Sequence, residues 1–118
     1  MTEQPELAAV TACIEDYCVG YAAGDEQRME RSLHPALVKR SIDSGGIRTL
    51  DAPYMVRAAA KRLADGAAEP DPAWTIEFVD IRGDIASAVV VTRQFLDYLH
   101  LGRFDGEWKI LNVLWAWV

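Results

Sequence analysis

Residues 95–117 read FLDYLHLGRFDGEWKILNVLWAW, and this stretch predicts one long β-hairpin. Its turn falls at Asp105-Gly106, because this dipeptide tolerates the positive φ angles of a two-residue type I′ loop. A turn there places Leu101 opposite Ile110, and side chains alternate between the two faces of the hairpin. Both faces are largely apolar, so both need cover from water. We therefore expect helices of the same chain on one face and a second copy of the protein on the other.

The predicted register also distributes the polar side chains of the hairpin. Asp97 and Asn112 are the polar exceptions on one face, whereas Tyr98, His100 and Trp115 lie on the other. A one-residue slip or a bulge would exchange the faces, because the side-chain period of a strand is two. The register leaves open which face lines the interior and which the dimer. Our expectation is that Asp97 faces inward.

Apolar spacing in the first half of the chain predicts three helices. Apolar residues recur every three or four positions from Leu7 to Tyr21, and Gly24 is the expected left-handed stop. A short second helix lies between Asp25 and Pro35, because proline disfavours helical geometry in the residue before it. A third helix runs from about Pro53 to Asp65. The remaining apolar runs are too short or too rich in β-branched residues to be helices.

These runs predict the strands of an antiparallel sheet. The first two flank the flexible turn Ser44-Gly45-Gly46. No turn signal interrupts residues 85–104, so one long bent strand is expected there. Helices followed by a curved antiparallel sheet are typical of the α+β class, in which helices cover one sheet face. The predicted strands cover residues 37–43, 47–50, 74–82, 85–104 and 108–117.

Composition narrows the classes of function. A chain of 118 residues predicts a single domain over residues 1–118. The net charge of −6 and the lack of clustered basic residues argue against nucleic acid, and no apolar run is long enough to cross a membrane. With no secretory signal pattern, a cytoplasmic location is expected. Cys13 and Cys18 point apart on one helix and predict buried thiols, and no metal-ligand or nucleotide-binding spacing predicts a cofactor.

Four short motifs carry a resemblance to a known family. They are YAAGD at 21–25, LHPAL at 33–37, FLDYLHL at 95–101 and DGEWKI at 105–110. Together they resemble the nuclear-transport-factor-2-like (SnoaL-like, cystatin-like) superfamily, and more narrowly its small bacterial branch described as "putative lumazine-binding". The resemblance implies three helices packed on a strongly curved antiparallel sheet, an open cone that commonly dimerises through its sheet. One departure is Val113, where the family often has a lysine.

The resemblance implies a mostly apolar pocket that binds a small molecule. The alternative is a cofactor-independent isomerase, cyclase or dehydratase, in which a pocket carboxylate or histidine acts as general acid or base. Asp97 and His100 are the candidates for that group. Each also has a structural interpretation: a hydrogen-bonded Asp97 that simply fixes the hairpin, and a His100 that is an ordinary core or interface residue.

Other side chains are candidates to line the pocket. Tyrosines on the helices can donate a hydrogen bond to a bound carbonyl, although buried tyrosines usually reach a backbone partner. His34 either caps the second helix or points into the cone. The tryptophans mainly supply apolar surface and offer a stacking platform for a ring-shaped ligand. The predicted pocket residues are Tyr17, Tyr21, His34, Tyr54, Asn112 and Trp115.

Overall fold

The structure is a computed structural model and describes residues 5–118. Within that range the chain forms three helices and six strands. In chain order the elements are α1 (Pro5–Ala23), α2 (Glu26–Ser32), β1 (Leu33–Asp43), β2 (Gly46–Asp51), α3 (Ala52–Ala64), β3 (Trp74–Arg82), β4 (Ile85–Thr92), β5 (Phe95–Phe104) and β6 (Glu107–Trp117).

The helix boundaries follow local sequence signals. Gly24 has a φ of +73° and separates α1 from α2. Asp25 caps α2, since its side chain accepts a hydrogen bond of 3.1 Å from the backbone N–H of Arg28. Asp51 caps α3 in the same way through the backbone N–H of Tyr54, at 2.9 Å. The positions of the three helices therefore agree with those predicted from spacing and capping.

All six strands belong to one sheet, in the order β2-β1-β6-β5-β4-β3. Neighbouring strands are antiparallel except for β1 and β6, which are parallel. The helices cover one face of this sheet, here called the inner face, and the buried core lies between them. Ile14 and Met29 of the helices and Leu99 and Ile110 of the sheet are essentially inaccessible to solvent. The predicted α+β class is confirmed.

The long strand predicted over residues 85–104 is wrong, because the chain reverses within it. The reversal lies at Arg93 and Gln94, between the antiparallel strands β4 and β5. Thr92 stabilises it, since its Oγ1 accepts a hydrogen bond of 3.1 Å from the backbone N–H of Phe95. A threonine side chain thus replaces the glycine, proline or asparagine that marks most turns in a sequence.

The hairpin formed by β5 and β6 turns where expected. Asp105 and Gly106 have φ angles of +52° and +80°, and Leu101 lies opposite Ile110 as predicted. Beyond that pair the register shifts by one residue, because Leu111 has no partner on β5 and forms a bulge. The predicted register is therefore correct near the turn and wrong beyond it.

The bulge changes which side chains of β6 share a face with Asp97. Trp115, rather than Leu114, lies opposite Asp97, and Asn112 lies opposite His100. The predicted proximity of Asp97 and Asn112 is therefore wrong. Asp97 is buried on the inner face, whereas His100 and Asn112 are exposed on the outer one.

Candidate functional site

A cavity of about 390 Å³ lies between the helices and the inner face of the sheet. Its walls come from α1, α3, every strand except β3, and the loop between α3 and β3. Aromatic side chains form much of the surface, including Tyr17, Tyr21, Phe95, Trp115 and Trp117. A concave, mostly apolar space of this size matches the small-molecule sites of other proteins.

Asp97 supplies a carboxyl group to the inner end of the cavity. Only 4% of its surface is accessible, and its buried Oδ1 has no hydrogen-bond partner. Burial raises the pKa of Asp97, because the charged form loses its hydration, and the charge of nearby Lys39 opposes this shift. The carboxyl group is therefore poised to exchange a proton with a bound molecule nearer to neutral pH than an exposed aspartate would be.

Tyr17 and Lys39 form a polar pair beside Asp97. The Nζ of Lys39 donates a hydrogen bond of 2.6 Å to the phenol oxygen of Tyr17 and lies 5.1 Å from the centre of its ring. Burial raises the pKa of Tyr17 well above its ordinary value, and Asp97 raises it further. The phenol consequently keeps its proton, which it can donate to a ligand while it accepts from Lys39.

Trp115 completes this inner end. The Nζ of Lys39 lies 5.7 Å from the centre of its ring, and its indole Nε1 is buried with no hydrogen-bond partner. Within residues 5–118, three side chains keep a buried polar atom without a partner, and all three line the cavity. They are Arg62, Asp97 and Trp115. Such atoms are rare in folded proteins, so their concentration in one cavity points to a function there.

The rim of the cavity is rich in charge. Arg62 lies over the ring of Tyr21 at 4.9 Å, and Glu69 approaches both Arg62 and Arg93, at 3.8 Å and 3.2 Å. Glu69 belongs to the loop before β3, whose backbone is tied to α1 by a hydrogen bond of 2.6 Å to the carbonyl of Ala22. The rim thus combines a fixed loop with arginines able to contact the polar end of a ligand.

The structure brings five of the sequence-predicted candidates together around the cavity. They are Asp97, Tyr17, Tyr21, Tyr54 and Trp115. Tyr54 lies at the rim, where its hydroxyl accepts a hydrogen bond of 3.0 Å from Arg48. These five residues belong to α1, α3 and the neighbouring strands β5 and β6. Their roles toward a ligand stay predictions.

Three other candidates lie elsewhere, and their predicted placement in the pocket is wrong. The bulge at Leu111 puts Asn112 on the outer face, where its amide lies 3.5 Å from the imidazole of His100. His34 belongs to β1, where its Nδ1 accepts a hydrogen bond of 2.9 Å from the backbone N–H of Ala36 and its ring packs on Phe104. His34 therefore neither caps α2 nor enters the cavity.

Sequence reasoning missed Lys39 and Arg62 as cavity residues. Lys39 is two residues from the buried Leu37 on the same strand, so alternation alone assigns it to the inner face. A lysine in that position was a detectable signal. Arg62 had none, because it reaches the rim from the last turn of α3 and only the packing of that helix brings it there.

The described residues hold neither a cluster of potential metal ligands nor a helix suited to span a membrane. Residues 5–118 contain no group of three or more His, Cys, Asp or Glu side chains arranged to hold a metal ion. Within the same range, no helix has both the length and the apolar character needed to cross a membrane.

The match to a known family covers nearly the whole chain. The family described as "Putative lumazine-binding" matches residues 5–116, which include all three helices and all but the last residue of β6. The chain belongs to this family. The predicted relationship to the nuclear-transport-factor-2-like superfamily is confirmed by this match together with a solved structure described as NTF-2-like.

Solved structures agree with this assignment. An NTF-2-like protein of unknown function from Silicibacter pomeroyi is 27% identical, with a TM-score of 0.85 over 100% of both chains. An NTF2-like protein of unknown function from Shewanella baltica is 18% identical, with a TM-score of 0.83 over 100% of this chain and 98% of that one. A ketosteroid isomerase-like protein from Erwinia carotovora atroseptica is 13% identical, with a TM-score of 0.71 over 98% of each. No curated protein sequence matches this chain significantly.

Proposed function

We propose that this protein binds a small organic molecule in the cavity between its helices and its sheet. The observation that carries the proposal is the cavity of about 390 Å³, whose walls combine aromatic side chains with three residues, Arg62, Asp97 and Trp115, that each keep a buried polar atom unpaired. A buried polar atom without a partner costs about 1–3 kcal/mol. The fold keeps that cost at three positions around one cavity, and membership in a family described as "putative lumazine-binding" supports a small-molecule ligand there.

The cavity favours a ligand with an aromatic or apolar body and a carbonyl oxygen at one end. Trp115, Tyr17 and Lys39 direct hydrogen-bond donors toward the inner end, and an oxygen atom is the partner that such donors prefer. The aromatic walls suit a flat ring system. The rim arginines favour a ligand whose outer end carries an acceptor or a negative charge.

Binding is measurable through the tryptophans that line the cavity. Aromatic carbonyl compounds such as 2-naphthaldehyde should change the emission of Trp115 and Trp117 and raise the melting temperature. Ala58→Phe fills the cavity from α3 without removing a polar group and should abolish both effects. Ala64→Phe is the matched control, because Ala64 ends the same helix, is exposed and lies outside the cavity. Equal binding by both variants contradicts the proposed location.

A second candidate function is proton transfer on a carbonyl substrate, and the setting of Asp97 favours it. A buried carboxyl group with a raised pKa beside the donors Tyr17 and Trp115 has the parts to remove a proton next to a carbonyl and stabilise the enolate oxygen. The probe is 2-tetralone in deuterated buffer, followed by NMR. Asp97→Asn should abolish enzyme-dependent exchange of its α-protons while 2-tetralone still binds. Exchange that is no faster than in buffer eliminates this candidate.

The same proposal includes a homodimer formed through the outer face of the sheet. Phe78, Val89, Tyr98 and Leu114 lie in successive register across four strands and form an apolar row. Phe78, Tyr98 and Leu114 are each about half exposed, at 54%, 56% and 48%. Apolar rows of this kind mark contacts with a partner, and a copy of the chain offers a matching row. A species that sediments as a monomer at micromolar concentration contradicts this part.

A further inference from the structure

Lys39 differs from the other lysines of the chain in its surroundings. Lys61 is exposed and binds the carboxylate of Asp65 at 2.6 Å, and Lys109 donates to the backbone carbonyl of Arg31 at 2.7 Å. Lys39 instead contacts two aromatic side chains inside the cavity, the hydroxyl and ring of Tyr17 and the ring of Trp115. Its amine therefore meets a bound molecule in an apolar setting, with no carboxylate in direct contact.

The electrostatic setting of Lys39 raises the fraction of neutral amine above that of an ordinary lysine. Burial lowers the pKa of Lys39, because the ammonium form loses hydration, and Arg48 of β2 acts in the same direction. Asp97 of β5 and Cys18 of α1 oppose the shift, yet the pKa stays below the ordinary value. The effect of Cys18 on the pKa of Lys39 is weak, because burial raises the pKa of Cys18 itself to about 12 and keeps its thiol neutral.

We propose that Lys39 forms a covalent imine with an aldehyde or ketone that occupies the cavity. The inference rests on the proposed function, because it requires the carbonyl end of the ligand to lie among Lys39, Tyr17 and Asp97. An amine in an apolar pocket is the form in which lysine acts as a nucleophile toward carbonyl carbon. The same placement that supplies hydrogen-bond donors to the carbonyl oxygen puts the nucleophile beside its carbon.

The reaction has two balanced steps. The lone pair of the Lys39 Nζ attacks the carbonyl carbon, and the carbonyl π electrons move to oxygen, which takes up a proton while the nitrogen loses one. The resulting carbinolamine then loses water: the C–O bond breaks, oxygen leaves with a proton donated by an acid, the nitrogen lone pair forms the C=N bond, and the nitrogen returns its remaining proton to that acid. The net change is amine plus carbonyl compound to imine plus water, with no oxidation or reduction.

Two neighbours of Lys39 supply the acid that the second step needs. The phenol of Tyr17 is in direct contact with the amine and remains protonated. The carboxyl group of Asp97 is buried close by with an unpaired Oδ1, so it can deliver a proton to the leaving hydroxyl and take one back. The cavity thus holds a nucleophile, an acid and an apolar enclosure in one place.

Reductive trapping tests the inference on the unmodified protein. The probe is 2-naphthaldehyde with sodium cyanoborohydride at pH 7, followed by intact mass and peptide mapping. We expect one naphthylmethyl group on Lys39 and little on Lys61 or Lys109; the α-amino group, with an ordinary pKa of about 8, also reacts and is counted separately in the peptide map. Because burial lowers the pKa of Lys39 and the hydrogen bond to Asp65 raises that of Lys61, Lys39 has the larger neutral fraction at pH 7 and should carry most of the lysine label. Equal labelling of Lys39 and Lys61 would overturn the inference.

Two lysine substitutions and the pH dependence of labelling provide further tests of the imine. Lys39→Met should lose the label, whereas Lys61→Met, the matched surface control, should keep it. The preference for Lys39 should shrink from pH 7 to pH 10, because the exposed amines become neutral as well. The other charged and titratable groups that line the cavity are Tyr17, Cys18, Tyr21, Arg48, Tyr54, Arg62, Glu69, Asp71, Arg93 and Asp97. A preference that stays constant with pH contradicts the proposed neutral amine.

A second ligand separates failure of this inference from failure of the proposed function. The alcohol 2-naphthylmethanol has the same ring system and cannot form an imine. If both compounds change the tryptophan emission and Lys39 stays unlabelled, the covalent step is wrong and the binding function stands. If neither 2-naphthaldehyde, 2-tetralone nor 2-naphthylmethanol binds, both proposals fail together.

Discussion

Replacement of Asp97 by asparagine should stabilise this protein at neutral pH. Asp97 is buried, and its Oδ1 has no hydrogen-bond partner. An ionised carboxylate in that place has lost its hydration without gaining a bond. Asparagine has nearly the same shape and carries no charge, so the substitution removes the penalty with little change in packing.

The size of the effect follows from the cost of an unpaired buried group, about 1–3 kcal/mol. The amide of asparagine is still polar, and Lys39 loses a neighbouring negative charge, so the gain should lie near the lower limit. We expect the free energy of unfolding at pH 7 to rise by about 1 kcal/mol. In a domain of this size that corresponds to an increase of about 4 °C in the melting temperature.

The pH dependence gives the effect a signature. The folded pKa of Asp97 is raised above the unfolded value of about 3.9. Its contribution to stability is therefore complete below about pH 3.9 and is lost as the pH rises through the folded pKa. The stability difference between Asp97→Asn and the wild-type protein should be small near pH 4 and should grow toward pH 7.

Urea unfolding followed by circular dichroism at several pH values measures this difference. Asp16→Asn is a control of opposite sign, because the hydrogen bond from Arg31 lowers the pKa of Asp16 and Arg28 acts in the same direction. Its stabilising effect is present above the unfolded pKa and is lost as the pH falls, so Asp16→Asn should cost about 1 kcal/mol at pH 7. An Asp97→Asn protein that is less stable at pH 7 by a pH-independent amount would show that Asp97 is bonded in the fold and refute the reasoning.

Three further predictions address the fold, the cavity and the assembly. Gly24→Ala should lower the free energy of unfolding by about 2 kcal/mol or more in the urea assay, because φ is +73° and the added Cβ would lie 2.6 Å from the Cβ of Leu63. Gly66→Ala is the control, since Gly66 has a φ of +72° but open space around it. It should cost about 1 kcal/mol in the same assay. Trp115→Phe should weaken 2-naphthaldehyde binding in calorimetry by about tenfold without loss of stability, because it removes an unpaired donor; unchanged affinity contradicts its role. Tyr98→Glu should convert a dimer to monomers in sedimentation velocity, and a persisting dimer excludes the outer face as the contact.

The candidate site was predictable in part. The tyrosines at positions 17, 21 and 54 come from helical faces that the sequence pattern assigns to the sheet, and the structure places all three at the cavity. Asp97 was recognisable as a charged residue among apolar neighbours on a strand. These side chains depend only on local periodicity, which is readable along the chain.

The bulge at Leu111 explains most of the errors. Before it, even-numbered residues of β6 such as Trp108 and Ile110 are buried, and after it the odd-numbered Val113 is. A strict alternation carried from the turn therefore exchanged the faces of Asn112 and every residue beyond it. The change of phase is present in the apolar pattern of β6, but a pattern alone does not say which residue bulges.

The sequence by itself determined the helices, the hairpin turn and the α+β class, because each depends on spacing, capping or turn chemistry within a short segment, and its motifs carried the resemblance to the family. Only the tertiary structure decided the site. Lys39, Asp97 and Trp115 meet because β6 pairs in parallel with β1 and, past its bulge, antiparallel with β5. These three residues are far apart in the chain. Their contact depends on long-range strand pairing, which is set by the packing of the whole sheet against its helices.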